Sequence, residues 1–221
     1  MVAAELISDI ILPAKPTDSV EKVHLLLSEF RVNELPVVDE DRFLGLILED
    51  DLIEIEDEQL LVSSLSILKP NVFVKDNQHV SDVLRMFYVQ KLSVLPVLDI
   101  KGNYLGLINI NTLTDYFATL TSATEPGAVI VLEISNRDNS MAQMAQIVES
   151  DKAQVLSSYI RSAPDNSNRL EVTLKINKRE VSAILASFNR YDYVVKAVYN
   201  QAQVDDDSMN RYDLLMNYIN L

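Results

Sequence analysis

Leu35-Pro36-Val37-Val38-Asp39, followed by Leu44-Gly45-Leu46-Ile47, returns later as Leu95-Pro96-Val97-Leu98-Asp99, followed by Leu105-Gly106-Leu107-Ile108. The Leu-Pro-Val starts lie 60 residues apart and the Leu-Gly-Leu-Ile starts 61 apart, so the second turn carries one extra residue. A unit repeated at this period is an architectural signal. In each copy the apolar run with proline at its start reads as a strand. The short polar turn, Asp39–Arg42 or Lys101–Asn103, then folds a second strand back on it.

The flanking residues repeat as well. Asp18 and Ser19 can cap a helix in which Val20, Val23, Leu26, Leu27 and Phe30 recur at helical spacing. Asn77–His79 precedes a second such helix with Val80, Val83, Leu84, Phe87 and Tyr88 inward. After each hairpin another helix is expected, from Asp50 or Asp51 to about Leu61, and from an Asn111 cap through Phe117. Each unit is therefore β-α-β-β-α, the first over 1–60 and the second over 61–119. One unit alone leaves an apolar sheet face uncovered, so two should pack together.

Residues 120–127 contain Thr121-Ser122-Ala123-Thr124-Glu125-Pro126-Gly127 and read as a linker. Ala128–Ile134 is a strand. Asn136–Asn139 turn the chain, and Ser140 can cap a helix carrying Met141, Met144, Ala145 and Val148. Val155–Ile160 is a strand, and Pro164–Asn168 a loop. In Leu170–Ile176, Leu170, Val172, Leu174 and Ile176 alternate with Glu171, Thr173 and Lys175, the pattern of a half-exposed antiparallel strand. Asn177 is the expected cap of the next helix, and Tyr193–Val198 closes as a strand. Over 128–199 the order β-α-β-β-α-β is the ferredoxin-like plan. In the tail, 200–221, Asp205-Asp206-Asp207-Ser208 opens an amphipathic helix carrying Met209, Tyr212, Leu215, Met216 and Ile219. It is too short to stand alone. It packs on its own domain or clasps a second copy.

The repeated unit resembles a CBS domain, and residues 1–119 are similar to a tandem CBS pair. The signature is the Leu-Pro-Val-hydrophobic-Asp strand followed by hydrophobic-Gly-hydrophobic-Ile and a helix. Residues 128–199 resemble an ACT domain in element order and length. The combination is similar to bacterial regulatory proteins of the acetoin-utilisation type. The fold class expected is α+β.

The CBS resemblance implies clefts that take an adenosine nucleotide or S-adenosylmethionine. The family pattern at the hairpin end is Gly-hydrophobic-hydrophobic-Ser/Thr-x-x-Asp. The hydroxyl and a helix N-terminus hold phosphate, and the Asp accepts from the ribose. Here the first copy is Gly45-Leu46-Ile47-Leu48-Glu49-Asp50-Asp51. Asp51 keeps the ribose acid, Leu48 replaces the hydroxyl, and Glu49 and Asp50 would repel phosphate. The second copy is Gly106-Leu107-Ile108-Asn109-Ile110-Asn111-Thr112, with Asn109 for the hydroxyl and Thr112 for the acid. The expected site centres on Asp51, walled by Leu12, Pro13 and Val37, with Phe73, Val97 and Thr112 in the other cleft. The same residues also read as plain helix caps, Asp50 and Asp51, beside clefts closed by side chains. The ACT resemblance implies an amino-acid site after the first strand, at Asn136–Ser140; a solvated turn fits the same residues.

Composition narrows the rest. The net charge is −14, from 19 basic and 33 acidic residues, which disfavours binding nucleic acid or an anionic membrane. There is no cysteine, so disulfides and thiolate metal sites are excluded. The start, Met1–Glu5, lacks a basic and apolar leader, and no apolar run is long enough to span a bilayer. A cytoplasmic protein is expected. His24 and His79 have no partner at ligand spacing, and the acidic run Glu54–Glu58 reads as a solvated face. No nucleophile–base constellation is present. The expectation is a non-catalytic homodimeric sensor that relays a small-molecule effector to a protein partner. The competing reading is a dimerisation module without a ligand.

Overall fold

The computed structural model describes residues 1–135, 140–163 and 166–200, without the side chains at 166–168 and 200. The turn at 136–139 and the tail helix lie outside the described residues, as does most of the Pro164–Asn168 loop. The chain divides into two units, one over Met1–Tyr116 and one from Phe117 onward.

The first unit shows the repeat in its backbone. Its elements are α1 (Val20–Phe30), β1 (Glu34–Asp39), β2 (Arg42–Leu48) and α2 (Glu49–Leu52). They recur as β3 (Val74–Lys75), α3 (Val80–Gln90), β4 (Val94–Leu98), β5 (Tyr104–Asn109) and α4 (Ile110–Leu120). Helix α1 starts where the Ser19 hydroxyl accepts from Lys22 N–H, and α3 where the His79 ring accepts from Ser81 N–H. Both end on a left-handed residue, Arg31 (φ 54°) and Lys91 (φ 57°), which are 60 positions apart. The β1–β2 and β4–β5 pairs are antiparallel, with matching register shifts after Val37 and Val97. Ala14 bridges Val37 in parallel, as Val74 pairs with Val97. One core crosses the repeat, since Leu35, Val37, Ile47 and Leu52 cluster with Val94 and Leu107. Removing such fully buried side chains from water is the main force holding the halves together.

Helix α2 differs from expectation. It is a single turn, Glu49–Leu52, not a helix to Leu61. Leu48 occupies its cap position and has no side-chain acceptor to offer. Downstream, the Glu58 and Leu60 carbonyls accept from Glu21 and Val20 N–H at the start of α1. That segment satisfies another helix's free donors instead of continuing its own.

The second unit comprises β6 (Ala128–Ser135), α5 (Met141–Ser150), β7 (Val155–Ala163), β8 (Asn166–Ile176), α6 (Ser182–Arg190) and β9 (Val194–Asn200). Its antiparallel sheet runs β7-β8-β6-β9, the ferredoxin-like order. Ile130, Leu132, Val172 and Leu174 face a core with Met144 and Val148 of α5 and Ile184 and Phe188 of α6. Asn177 does not cap α6, which begins at Ser182. Its side chain accepts from Gln154 N–H at 2.8 Å and ties two loops together.

Strand β8 also departs from the half-exposed pattern. Glu171, Thr173 and Lys175 are as buried as their apolar neighbours. The strand is central, so flanking side chains cover both faces. Glu171 is gripped by Arg161 of β7 and Lys196 of β9. Those two partners hold its carboxyl below the ordinary value, Lys196 most strongly.

Candidate functional site

Each hairpin of the first unit is approached by a lead-in segment from the other half of the repeat. Ser8 bridges Leu107 of β5, and Lys69 bridges Leu46 of β2. Gly45 and Gly106 make this close approach possible. A Cβ at Gly45 would lie 2.9 Å from Leu68 Cβ and 3.1 Å from the Lys69 carbonyl carbon. One at Gly106 would lie 2.5 Å from Ile7 Cγ2. The lead-ins therefore exchange partners. Residues 7–11 serve the hairpin that ends in Thr112, and residues 68–73 serve the hairpin that ends in Asp51.

A cavity of about 420 Å³ opens beside the end of β5, within the usual size of a small-molecule site. Ile10, Ile11 and Phe30 supply its apolar wall, and Ser93, Asn109 and Thr112 its polar floor. Asn109 Oδ1 accepts from Thr112 N–H at 2.8 Å and lies 3.1 Å from Thr112 Oγ1. It is thus the cap of α4, in place of Asn111. The Thr112 N–H requires the amide oxygen on its side, which turns the Asn109 Nδ2 donor away from the helix. The charged groups at the cavity are Glu29, Arg31 and Asp115. Two carboxylates against one guanidinium favour a ligand carrying little negative charge.

Behind the floor stands Glu34. It is buried, and its Oε1 accepts from Ser93 N–H (2.5 Å), Ser93 Oγ (2.9 Å) and Val94 N–H (2.6 Å). Asn33 N–H donates in turn to Ser93 Oγ at 3.0 Å. Burial pushes the Glu34 carboxyl above its ordinary 4.5, against the pull of these hydrogen bonds. This joint ties β1 to β4 and positions Ser93 at the cavity.

The counterpart position in the first half is different. Asp51 lies 3.0 Å from Lys69 Nζ in an ion pair, and its Oδ2 is shut off from solvent without a well-directed hydrogen bond. Leu48 stands where Asn109 stands. Phe73 packs edge-on against Phe43 of β2, with ring centroids 6.1 Å apart, so it belongs beside the Asp51 hairpin and not opposite it. Val37 and Val97 are wholly buried in the strand cores and cannot wall an open cleft. Leu12 is 60% exposed and Pro13 half-buried. The cavity wall takes Ile10 and Ile11 from that segment instead. Of the residues singled out by sequence, the structure places Thr112 at a cavity.

Residues 3–58 and 62–119 match the model of the CBS domain family, over half of the chain. The chain belongs to the CBS-domain family. Its CBS region is 26% identical over 112 residues to inosine-5'-monophosphate dehydrogenase of Methanocaldococcus jannaschii, covering 50% of this chain and 22% of that enzyme. The same enzyme of Mycobacterium bovis is 30% identical over 97 residues, covering 43% and 18%. The chain thus spans about a fifth of the length of these relatives. Similar solved structures include a CBS domain pair/ACT domain protein from Thermotoga maritima, at 19% identity and TM-score 0.49, covering 53% of this chain and 96% of that one. Another is CBSX2 in complex with AMP, at 22% identity and TM-score 0.45, covering 52% and 95%.

Arg31, Glu29, Ile10, Ile11 and Ser93 line the same cavity and were not singled out from the sequence. They come from outside the hairpin phrase. Ser93 had a legible signal, because it sits 60 positions after Asn33 just before the repeated strand. The others are brought in by the crossing of the lead-ins. Among the described residues no group of three or more His, Asp or Glu could hold a metal. Among them, too, no helix is long and apolar enough to cross a membrane.

Proposed function

We propose that this CBS pair is a non-catalytic sensor whose ligand is an adenosine-type molecule with little net negative charge, bound in the Thr112 cavity. The supporting observation is the combination at that site. An apolar wall of Ile10, Ile11 and Phe30 suits a base. Thr112, Ser93 and the Asn109 amide suit ribose hydroxyls. Glu29 and Asp115 disfavour a phosphate chain, so adenosine or S-adenosylmethionine fits better than ATP. Arg31 leaves room for one acidic group. Occupancy alters a partner contact only if the ligand prefers one arrangement of the halves.

We also propose an ACT-type assignment for the second unit, a cytoplasmic setting, and the acetoin-utilisation type of regulatory protein as the whole. A homodimer is supported by Leu25 of α1 and Leu84, Tyr88 and Val89 of α3, which are exposed although the spacing put Leu84 and Tyr88 on the inner face.

The test is a thermal-shift and calorimetric panel of adenosine, S-adenosylmethionine, AMP and ATP. Saturable stabilisation is expected, strongest for the two ligands without phosphate. Thr112→Val should weaken binding at least tenfold, while Asp51→Ala should leave it unchanged. The reverse pattern moves the ligand to the first cleft. No response to any compound favours an interaction module without a ligand.

A further inference from the structure

The second unit carries a lysine with unusual surroundings. Lys175 lies in β8, one of the two inner strands of the sheet, on the face away from α5 and α6, and is only 6% exposed. It lines a cavity of about 460 Å³ together with Val129, Ser157, Tyr159, Thr173 and Tyr199. Its strand neighbours are Ser157 on β7 and Val129 on β6, and Tyr199 pairs with Val129 on β9. Among the described residues, none accepts a hydrogen bond from Lys175 Nζ or forms an ion pair with it. The Ser157 hydroxyl is already committed, donating to the Thr121 carbonyl at 2.7 Å.

The contrast with the other end of this strand face is informative. Four residues earlier on β8, roughly 13 Å away along the strand, Glu171 is held by both Arg161 and Lys196. The local acid is thus saturated by two other cations. The Lys175 side chain borders a cavity with two tyrosine rings and a valine, where an anionic group could meet its ammonium.

We propose that this cavity is a second ligand site, for a small monocarboxylate with an apolar, ring-sized body. The carboxylate pairs with Lys175 Nζ in a charge-assisted hydrogen bond. Thr173 borders the same spot and offers a hydroxyl. The body lies against Val129 and the rings of Tyr159 and Tyr199. A free amino acid is a poorer ligand than its deaminated analogue, because its α-ammonium would sit beside Lys175. The site is independent of the Thr112 cavity and of the reading proposed for it.

The experiment uses the full chain with 3-phenylpropanoate, 3-phenylpropanol and phenylalanine as probes, followed by calorimetry. The acid should bind saturably, and both other probes at least tenfold more weakly. Lys175→Met, near-isosteric but uncharged, should weaken the acid at least tenfold, and Lys175→Arg should restore part of it. Lysine acylation of the unaltered protein, read by mass spectrometry, gives a measurement that does not depend on a variant folding: Lys175 should react, and 3-phenylpropanoate should protect it in proportion to occupancy. The proposal is overturned if the acid does not bind, if the alcohol binds as well, if Lys175→Met binds unchanged, or if Lys175 is unreactive without the acid.

Discussion

The two halves of the CBS pair share a backbone and differ in chemistry at the same address. In the second half Asn109 caps α4, which runs 11 residues, and Thr112 faces a cavity. In the first half Leu48 caps nothing, α2 stops after 4 residues, and Asp51 is held by Lys69. Glu49 N–H and Ile110 N–H nevertheless donate to the equivalent carbonyls, Asn33 and Ser93. Backbone hydrogen bonding preserves the repeat, while side chains divide the labour. A duplicated fold thus does not imply duplicated sites.

The largest effect should come from the joint between the halves. Glu34 has Val94 at its repeat position, and it satisfies that residue's N–H. Glu34→Ala strands two N–H groups and a hydroxyl, and should cost about 3 kcal/mol in denaturant unfolding. Glu34→Gln keeps the acceptor and should fall within about 1 kcal/mol of the parent. A loss from Glu34→Gln equal to that from Glu34→Ala would show that charge, not acceptance, matters at the joint.

The two glycines come next. Gly45→Ala pushes a Cβ into Leu68 Cβ and the Lys69 backbone, which cannot swing away. Gly106→Ala meets chiefly Ile7 Cγ2, a side-chain end that can rotate. We expect about 3 kcal/mol for the first and about 1–2 kcal/mol for the second, since both also hold positive φ. The opposite order would place the tighter lead-in at the second hairpin.

A pH series separates two buried carboxyls. Native Glu34 binds its proton more tightly than the ordinary 4.5, so its contribution is greatest in acid and is lost as pH rises through the raised value. Native Glu171 is displaced downward, so its contribution is present above the ordinary 4.5 and is lost as pH falls through the lowered value. Glu34→Gln should therefore remove a decline of stability on the alkaline side of 4.5, and Glu171→Gln a decline on its acid side. Urea midpoints between about pH 3 and 7 read both slopes. Identical slopes in the two variants would contradict this.

The smallest effect is expected at Asp51. Its ion pair with Lys69 is partly exposed, so Asp51→Asn should cost at most about 1 kcal/mol, and less in high salt. A larger, salt-independent loss would mean that the first cleft depends on this carboxylate as the second depends on Asn109.

Much of this fold was legible in the sequence. The hairpins, α1 with its Ser19 cap, α3, and the β-α-β-β-α-β order of the second unit follow from periodicity and turn residues, because these signals act between residues close in the chain. The readings that missed share another origin. The length of α2 depended on which donors the Glu58 and Leu60 carbonyls meet. The alternation of Glu171, Thr173 and Lys175 described a strand face correctly, but whether Glu171 met water depended on Arg161 of β7 and Lys196 of β9.

The candidate site divides along the same line. Thr112 was readable because it sits at a fixed distance from Gly106 in the repeated phrase. Arg31, Ile10 and Ile11 were not, because the lead-ins cross between the halves and bring them to the Thr112 hairpin. The sequence alone determined a duplicated β-α-β-β-α unit followed by a β-α-β-β-α-β domain, since a repeat and its periodicity are properties of the chain. Which hairpin end borders a cavity, which carboxylate is spent on a lysine and which lysine, among the described residues, has no acid beside it were decided only by tertiary structure, because burial and charge pairing depend on residues far apart in sequence.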